Sequence, residues 1–213
     1  MKNTDELDSI AVRIGGRSVE GGWDRVARYC GLPWSDGEDE TWAFRYYDSV
    51  FSPPDNTVRP QDVLATAALH PGLGKDDLAF FHDERKSITS WLADLPTDRG
   101  IGGCDGSVVA HVAQLATWDV PVSLALLTKV LHRKRPSLIP LLDRHVIDWF
   151  RPLTGERNAT AAWPGVLRAI RDDMDLTNSI FLQSMASAVE EATFERISAL
   201  RVMDIIIWMG GRP

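Results

Sequence analysis

The sequence predicts an all-α protein, a compact domain of about nine helices, and three observations support that prediction. Apolar residues recur at helical spacing along most of residues 60–209. The segments between these stretches are short, and little of the chain alternates between apolar and polar residues as a strand does. The chain has 213 residues, 44% of them apolar, which is enough to bury one sizeable core. We therefore expect a single helical domain over residues 17–213, preceded by a loosely ordered lead-in at residues 1–16.

The predicted elements follow one another in order. The first helix covers residues 18–29 and ends before Gly31 and Pro33. Residues 41–51 are rich in aromatic side chains and predict an ordered aromatic segment more than a short strand. Residues 52–60 contain three prolines and predict a connector, and Pro60 suits the first turn of the next helix. Further helices are predicted at residues 60–68, 76–82, 86–95, 108–118, 122–134, 140–150, 163–171, 176–190 and 194–209.

A cluster of glycines interrupts the helical pattern at Gly100, Gly102, Gly103 and Gly106. A phosphate-binding loop follows a strand and ends in a lysine next to serine or threonine, and this cluster has neither feature. The glycines therefore predict a loop without a phosphate-binding role.

The charge of the chain is uneven. The net charge is −7, which argues against a general affinity for nucleic acid. Between Lys129 and Arg151, however, six Lys or Arg residues stand against two Asp, which leaves −11 on the rest of the chain. This segment predicts one basic patch on an acidic body. Five phosphate contacts from such a patch would give a log–log salt slope of about −4 to −5 on duplex DNA.

Cysteine content and hydropathy point to a cytoplasmic protein. Cys30 and Cys104 are the two cysteines, and their spacing suits neither a disulfide framework nor a metal site. The amino terminus is polar and acidic, unlike a signal peptide. The most apolar stretches, near residues 120–131 and 202–209, are too short or too interrupted by charge to span a membrane. We expect no membrane association.

No metal site or cofactor is predicted. The histidines share no metal-ligand spacing, and they are His70, His82, His111, His132 and His145. The sequence contains no Gly-x-Ser-x-Gly elbow, P-loop or dinucleotide fingerprint.

Residues 119–150 form the most distinctive stretch. An apolar helix ends in a basic run, His132, Arg133, Lys134 and Arg135. Two prolines stiffen the following turn, and the next helix begins near Asp143. A structural interpretation is complete, because cations suit a helix C-terminus and an aspartate suits a helix N-terminus. A functional interpretation places an anion-binding ridge beside a carboxylate that could stabilise an oxocarbenium-like sugar or position a water. Both interpretations remain open.

The segment KVLHRKRPSLIPLLDRHV resembles the signature of an uncharacterised bacterial family, Lys-Arg-Pro-x-Leu-Ile-Pro-x-x-Asp. That family is distantly similar to the helix-hairpin-helix DNA glycosylase superfamily, in which a hairpin holds DNA phosphates and a following helix begins with the catalytic aspartate. The resemblance implies that residues 121–123 form the hairpin turn and that Asp143 is catalytic. It implies that the nucleic-acid-binding residues are Lys129, Arg133, Lys134, Arg135, Arg144 and His145.

Two departures from the superfamily pattern limit what the resemblance implies. The hairpin usually carries glycines, but Pro121 and Ser123 stand here, and proline has no backbone N–H to donate to a phosphate. Strand-cleaving members carry a Schiff-base lysine eighteen residues before the aspartate, and that position holds Ala125. Lys129, one turn further on, cannot be assumed to substitute. The resemblance therefore implies base excision without lyase activity.

Two functions remain after this reasoning. In the first, the protein is a monofunctional DNA glycosylase, or an inactive descendant of one, that uses Asp143. In the second, it is a non-enzymatic helical binding module whose basic patch docks an acidic partner.

Asp204 lies in the last predicted helix with Leu200 and Trp208 four residues to either side. These apolar neighbours predict that its carboxylate is buried, and a buried charge needs a partner. We expect a structural ion pair with an arginine rather than a second catalytic acid.

Overall fold

The computed structural model describes residues 7–32 and 42–210, and 64% of the structure is helical. The only sheet in those residues is a two-stranded hairpin. The prediction of an all-α protein with helix as the majority is therefore confirmed. The helix-hairpin-helix arrangement remains a prediction.

The described residues form two strands, ten α-helices and four shorter helical turns, which are joined by loops. The strands are β1 (Val12–Ile14) and β2 (Arg17–Val19). The helices are α1 (Gly22–Cys30), α2 (Pro60–Ala65), α3 (Lys75–Asp83), α4 (Arg85–Ala93), α5 (Gly106–Ala113), α6 (Leu124–His132), α7 (Arg144–Thr154), α8 (Ala159–Asp173), α9 (Leu176–Thr193) and α10 (Ala199–Gly210). The shorter turns are a π-helical turn (Phe44–Asp48) and three 3-10 turns (Thr66–Ala68, Ile101–Gly103, Gln114–Thr117).

The hairpin corrects the prediction at the amino-terminal end. β1 and β2 pair antiparallel, and Gly15 and Gly16 between them have φ of 63° and 73°. Two-residue hairpin turns favour residues that tolerate positive φ, so a Gly-Gly pair suits this turn. Val12 and Ile14 are fully buried, so the expected loose lead-in does not hold for residues 7–16. The first helix begins at Gly22, four residues later than predicted.

Helices α6 and α10 lie in the middle of the core. All eight residues from Leu200 to Ile207 on α10 are buried, as are all but one of the residues of α6. α10 packs against α1, α7 and α9. A helix that is buried on every side carries even its polar residues into the interior, and both helices carry residues of the candidate site.

Most predicted helix boundaries agree with the structure to within a few residues. Two of the helix starts that differ by four or five residues belong to the elements around the candidate site. α7 begins at Arg144 rather than at residue 140, and α10 begins at Ala199 rather than at residue 194. Phe194 has φ of 63° and ends α9, because a left-handed residue terminates a helix. The last helix, α10, therefore begins only after this residue and the short segment that follows it.

The glycine cluster allows a close packing contact. A Cβ on Gly102 would lie 2.2 Å from the carbonyl oxygen of Met174, whereas a Cβ on Gly103 would meet no atom within 4 Å. We expect Gly102→Ala to lower the free energy of unfolding by about 1–3 kcal/mol through overpacking. Gly103→Ala is the matched control and should change it by less than about 0.5 kcal/mol. Urea unfolding measures both, and equal midpoints would contradict the packing explanation.

None of the helices that the structure describes is long and apolar enough to cross a bilayer.

Candidate functional site

The basic run after α6 is buried. Of the six residues expected to bind nucleic acid, four have only 1–7% of their surface exposed, and these are Lys129, Arg133, Lys134 and Arg135. The reason is the position of α6, which ends inside the protein rather than at its surface. The prediction of an exposed basic patch is therefore wrong for these four residues. Arg144 is exposed over 92% of its side chain and His145 is partly exposed.

The carboxylate of Asp62 is the main partner of the buried cations. Asp62 is fully buried near the start of α2. Its Oδ2 lies 2.6 Å from Lys134 Nζ, and its Oδ1 lies 3.6 Å from Arg133 Nε. Oδ1 also accepts a hydrogen bond from the Ser52 hydroxyl at 2.6 Å. The cations therefore hold the connector before α2 against the end of α6.

Backbone carbonyl groups accept several further hydrogen bonds from the basic run. Arg133 donates to the carbonyl oxygens of Tyr47 and Val50, and Arg135 donates to that of Leu92. His132 Nδ1 donates to the carbonyl oxygen of Ile139 at 2.7 Å, and burial lowers the pKa of this histidine to about 4. The imidazole is therefore neutral at physiological pH, and the run has a structural role.

Asp143 is the N-cap of α7, as its position before that helix predicts. Its Oδ1 accepts a hydrogen bond from the backbone N–H of Val146 at 2.9 Å. One residue earlier, the N–H of Leu142 donates to Thr128 Oγ1 at 3.1 Å. Thr128 belongs to α6 and precedes Lys129, so this bond fixes the chain entering α7 against α6. Hydrogen bonds before and after Asp143 in the chain therefore fix its position.

Asp143 lines a cavity of about 210 Å³. The cavity combines aromatic and apolar walls with four charged side chains. Its lining residues are Tyr29, Trp42, Ala68, Leu69, Pro71, Lys129, Leu141, Asp143, Arg201, Asp204, Ile205 and Trp208. An engineered apolar cavity of about 150 Å³ binds benzene, so this volume is enough for a ring system somewhat larger than benzene. A single planar ring system matches this space better than a whole nucleotide.

Lys129 belongs to this cavity rather than to the surface. The hydroxyl of Tyr47 donates to the Lys129 carbonyl oxygen at 2.7 Å, which holds this turn of α6. Burial lowers the pKa of the Lys129 amine, and the nearby carboxylates of Asp143 and Asp204 oppose that effect. Among the described residues Lys129, and not Ala125, lines the cavity. An amine and two carboxylates thus share one site.

Arg201 is the centre of a buried polar network beside the cavity. Its Nε lies 2.8 Å from Asp48 Oδ1, and its Nη2 donates to the Tyr29 hydroxyl at 2.5 Å. Tyr29 in turn donates to Asp48 Oδ2 at 2.7 Å. The third arm of the guanidinium, Nη1, donates to Asp204 Oδ2. The prediction that Asp204 is buried and paired with an arginine is therefore confirmed.

The pairing of Asp204 is incomplete. Its side chain is only 8% exposed, and Oδ1 has no hydrogen-bond partner among the described residues. Burial raises the pKa of this carboxyl to about 7, because Arg201 also serves Asp48 and offsets only part of the desolvation. Asp143 and Asp48 raise it further, while Lys129 opposes them. Near neutral pH both protonation states are therefore populated.

The proposed hairpin turn forms the entry to α6. Pro121 is exposed, and Ser123 caps α6 by accepting a hydrogen bond from the N–H of Leu126 at 3.1 Å. The Ser123 hydroxyl therefore already serves its own helix. Whether this turn contacts phosphate remains a prediction.

Several cavity residues were not identified from the sequence as functional. Tyr29, Trp42 and Arg201 come from three separate elements, and only the folded chain brings them together. One signal was present on α10, where Arg201, Asp204 and Trp208 follow at spacings of three and four residues and share one face. A stripe that mixes two opposite charges with an aromatic ring differs from an ordinary core face.

In the part of the chain that the structure describes, no group of three or more histidine, cysteine or acidic residues is arranged to hold a metal ion.

Comparison with known proteins identifies one family. A family of unknown function, DUF6308, matches residues 23–211, which include every cavity residue described above. None of the curated proteins and none of the solved structures matches the chain. Since the match covers most of the sequence, the chain belongs to the DUF6308 family.

Proposed function

We propose that this protein is a glycosylase-like enzyme that cleaves the N-glycosidic bond of a nucleobase, with Asp143 as its catalytic carboxylate. The observation that carries the proposal is the placement of Asp143. This carboxylate is fixed at the start of a helix, and it lines a base-sized cavity together with Trp42 and Trp208. Aromatic rings beside such a cavity suit the recognition of a base by stacking.

The chemistry requires a negative charge where the sugar becomes positive. When the bond between the base and the anomeric carbon breaks, the sugar develops oxocarbenium character, and a carboxylate held beside it stabilises that charge. Asp143 is rigid because Val146 and the neighbouring Leu142 are both hydrogen-bonded. A group that needs no reorganisation during the reaction stabilises the transition state more effectively.

The burial of the basic run limits the kinds of molecule that can present a base to the cavity. Arg133, Lys134 and Arg135 already pair with Asp62 or with carbonyl groups, so they cannot also hold DNA phosphates. The burial of these three cations also takes away most of the exposed basic patch that the binding-module hypothesis requires. A free nucleoside or a short single strand therefore suits the cavity better than a duplex that is gripped through this segment.

Duplex DNA binding should depend only weakly on salt if it occurs through the predicted segment. Arg144 and Arg151 are the cations of residues 129–151 that remain exposed, and both lie within 4 Å of Asp148. Two phosphate contacts give a log–log slope of about −2 instead of the −4 to −5 expected from an exposed patch. Fluorescence anisotropy over a salt series measures the slope. A slope of −4 or steeper would mean that another basic surface binds the DNA.

The test of the proposed function is direct measurement of base release. The purified protein is incubated with a panel of free nucleosides and with duplexes that carry damaged bases, and chromatography detects the free base. We expect release from at least one member of the panel. Release from nucleosides alone would identify a nucleoside substrate, and release from duplexes alone would restore DNA as the substrate. Binding without release from any member would contradict the proposal and favour a binding protein.

Lys129 makes a lyase step a specific second candidate, because its amine lines the same cavity as Asp143. In that reaction the amine would replace the base at the anomeric carbon, and the base would leave with the electron pair of its bond. Cleavage of the bond to the ring oxygen, with transfer of a proton from nitrogen to that oxygen, would then give an imine, which borohydride would trap. A monofunctional enzyme gives no trapped product. A product that forms with the wild type but not with Lys129→Gln would establish the second candidate.

A further inference from the structure

We propose that Asp204 is the proton donor to the leaving base, so that the substrate is a base, such as a purine, that departs only after a ring nitrogen is protonated. This inference rests on the proposed function, since it assigns the second carboxyl group of the same cavity. From the sequence we expected a structural ion pair with an arginine rather than a second catalytic acid at this position.

The two carboxyl oxygens of Asp204 have different environments. Oδ2 accepts a hydrogen bond from Arg201, whereas Oδ1 is buried and accepts none among the described residues. A buried anionic oxygen without a donor is costly, and protonation at Oδ1 removes that cost. The protonated group then becomes a donor that needs an acceptor. A base bound in the cavity of about 210 Å³ would supply that acceptor.

Asp204 lines two cavities, and the larger of them has room for a molecule that carries an acceptor. Asp204 also borders a second cavity of about 10 Å³, whose other lining residues, such as Leu200, Met203 and Ile207, are apolar. That space offers no polar side chain as an acceptor, and its size is near the minimum for one water molecule. The cavity of about 210 Å³ is large enough for a base, which carries several acceptor nitrogens.

The charged groups around Asp204 allow it to hold a proton at neutral pH. Arg201 on the same helix and Lys129 on α6 favour the charged form, whereas Asp143 and Asp48 favour the protonated form. Burial is the largest effect, so the pKa lies near 7. A general acid is most effective when its pKa lies close to the working pH. In this proposal Asp143 therefore acts as the charged carboxylate and Asp204 acts as the proton donor.

The reaction balances with water as the second reactant. The bond between the anomeric carbon and the base nitrogen breaks, and its electron pair goes to the base. The proton from Asp204 Oδ1 moves to a ring nitrogen, so the base leaves neutral. Water adds its hydroxide to the anomeric carbon, and the remaining proton returns to Asp204 through solvent. Asp143 stabilises the sugar cation and is unchanged.

The experiment compares two substrates that differ in their need for a proton. A purine nucleoside needs protonation to leave, whereas its N7-methylated counterpart already carries a positive charge on the base. We expect Asp204→Asn to lower release from the unmethylated purine by about a hundredfold or more. Release from the methylated purine should change by only a few-fold. Asp148→Asn is the control, because Asp148 is a half-exposed carboxylate that neither lines the cavity nor belongs to the charged groups around Asp204, and it should leave the ratio of the two rates unchanged.

The possible outcomes separate this inference from the proposed function. An equal loss on both substrates, or no loss on either, would overturn the role of Asp204. A wild type that releases only the methylated purine or only pyrimidines would keep the proposed function but overturn the inference. A wild type that releases no base overturns both. If Asp204→Asn does not fold, the wild type still decides, because release from the unmethylated purine alone should fall as pH rises through about 7.

Discussion

Asp62→Ala should lower the free energy of unfolding by about 3–5 kcal/mol, the usual cost of removing one partner from a buried ion pair. Asp62 is fully buried, and its loss would leave the Lys134 ammonium and the Arg133 guanidinium in the core without their nearest carboxylate. Its side chain also accepts a hydrogen bond from the backbone N–H of Arg59 at 2.8 Å, so the start of α2 would weaken as well. Urea unfolding followed by tryptophan fluorescence measures the change.

Asp55→Ala is the matched control. Asp55 Oδ1 lies 3.7 Å from the same Lys134 ammonium, but its side chain is 42% exposed. Exposed ion pairs contribute little because water screens them. The control should therefore cost only a small fraction of the Asp62 effect. If both substitutions cost the same, burial is not what makes Asp62 important, and our explanation of the basic run would be wrong.

The helical fold could be predicted because it depends on local periodicity. Apolar spacing located α3, α4, α9 and most of α6, and Pro60 marked the start of α2. The hairpin of β1 and β2 was missed because each strand has only three residues, too short for alternation to stand out. Gly15 and Gly16 were the available signal.

The error over the basic run has a different cause. Sequence spacing shows that α6 is apolar, but it does not show that the end of the helix also lies in the core. The partners of the run come from elsewhere in the chain, since Asp62 and the Tyr47 carbonyl group precede it by more than seventy residues. A cluster of cations resembles a binding surface until its acceptors are located. Only the tertiary structure locates them.

The same distinction applies to the candidate site. The capping role of Asp143 and the burial of Asp204 depend on neighbours within four residues, and both were predicted correctly. The cavity itself depends on α1, α6 and α10 meeting, which no local pattern contains. Lys129 shows the difference most clearly, because it was expected on the surface and instead lines the cavity.

Asp143→Asn should lower the rate of base release by on the order of a hundredfold or more while leaving the fold intact. Asparagine is as good an N-cap as aspartate, so its side-chain oxygen can still accept the hydrogen bond from Val146. The substitution therefore removes the negative charge and little else. Circular dichroism and urea unfolding should match those of the wild type.

The kinetic pattern distinguishes a catalytic role from a binding role. A charge that acts on the developing sugar cation stabilises the transition state more than the bound substrate, so kcat should fall much more than KM rises. Asp148→Asn provides the control, because Asp148 is a half-exposed carboxylate on the same helix that pairs with Arg144 and does not line the cavity. It should leave the rate unchanged. Equal rates for Asp143→Asn and the wild type would exclude Asp143 as the catalytic group. A fall in binding with kcat preserved would instead assign it to substrate recognition, because the charge would then act equally on the ground state and the transition state.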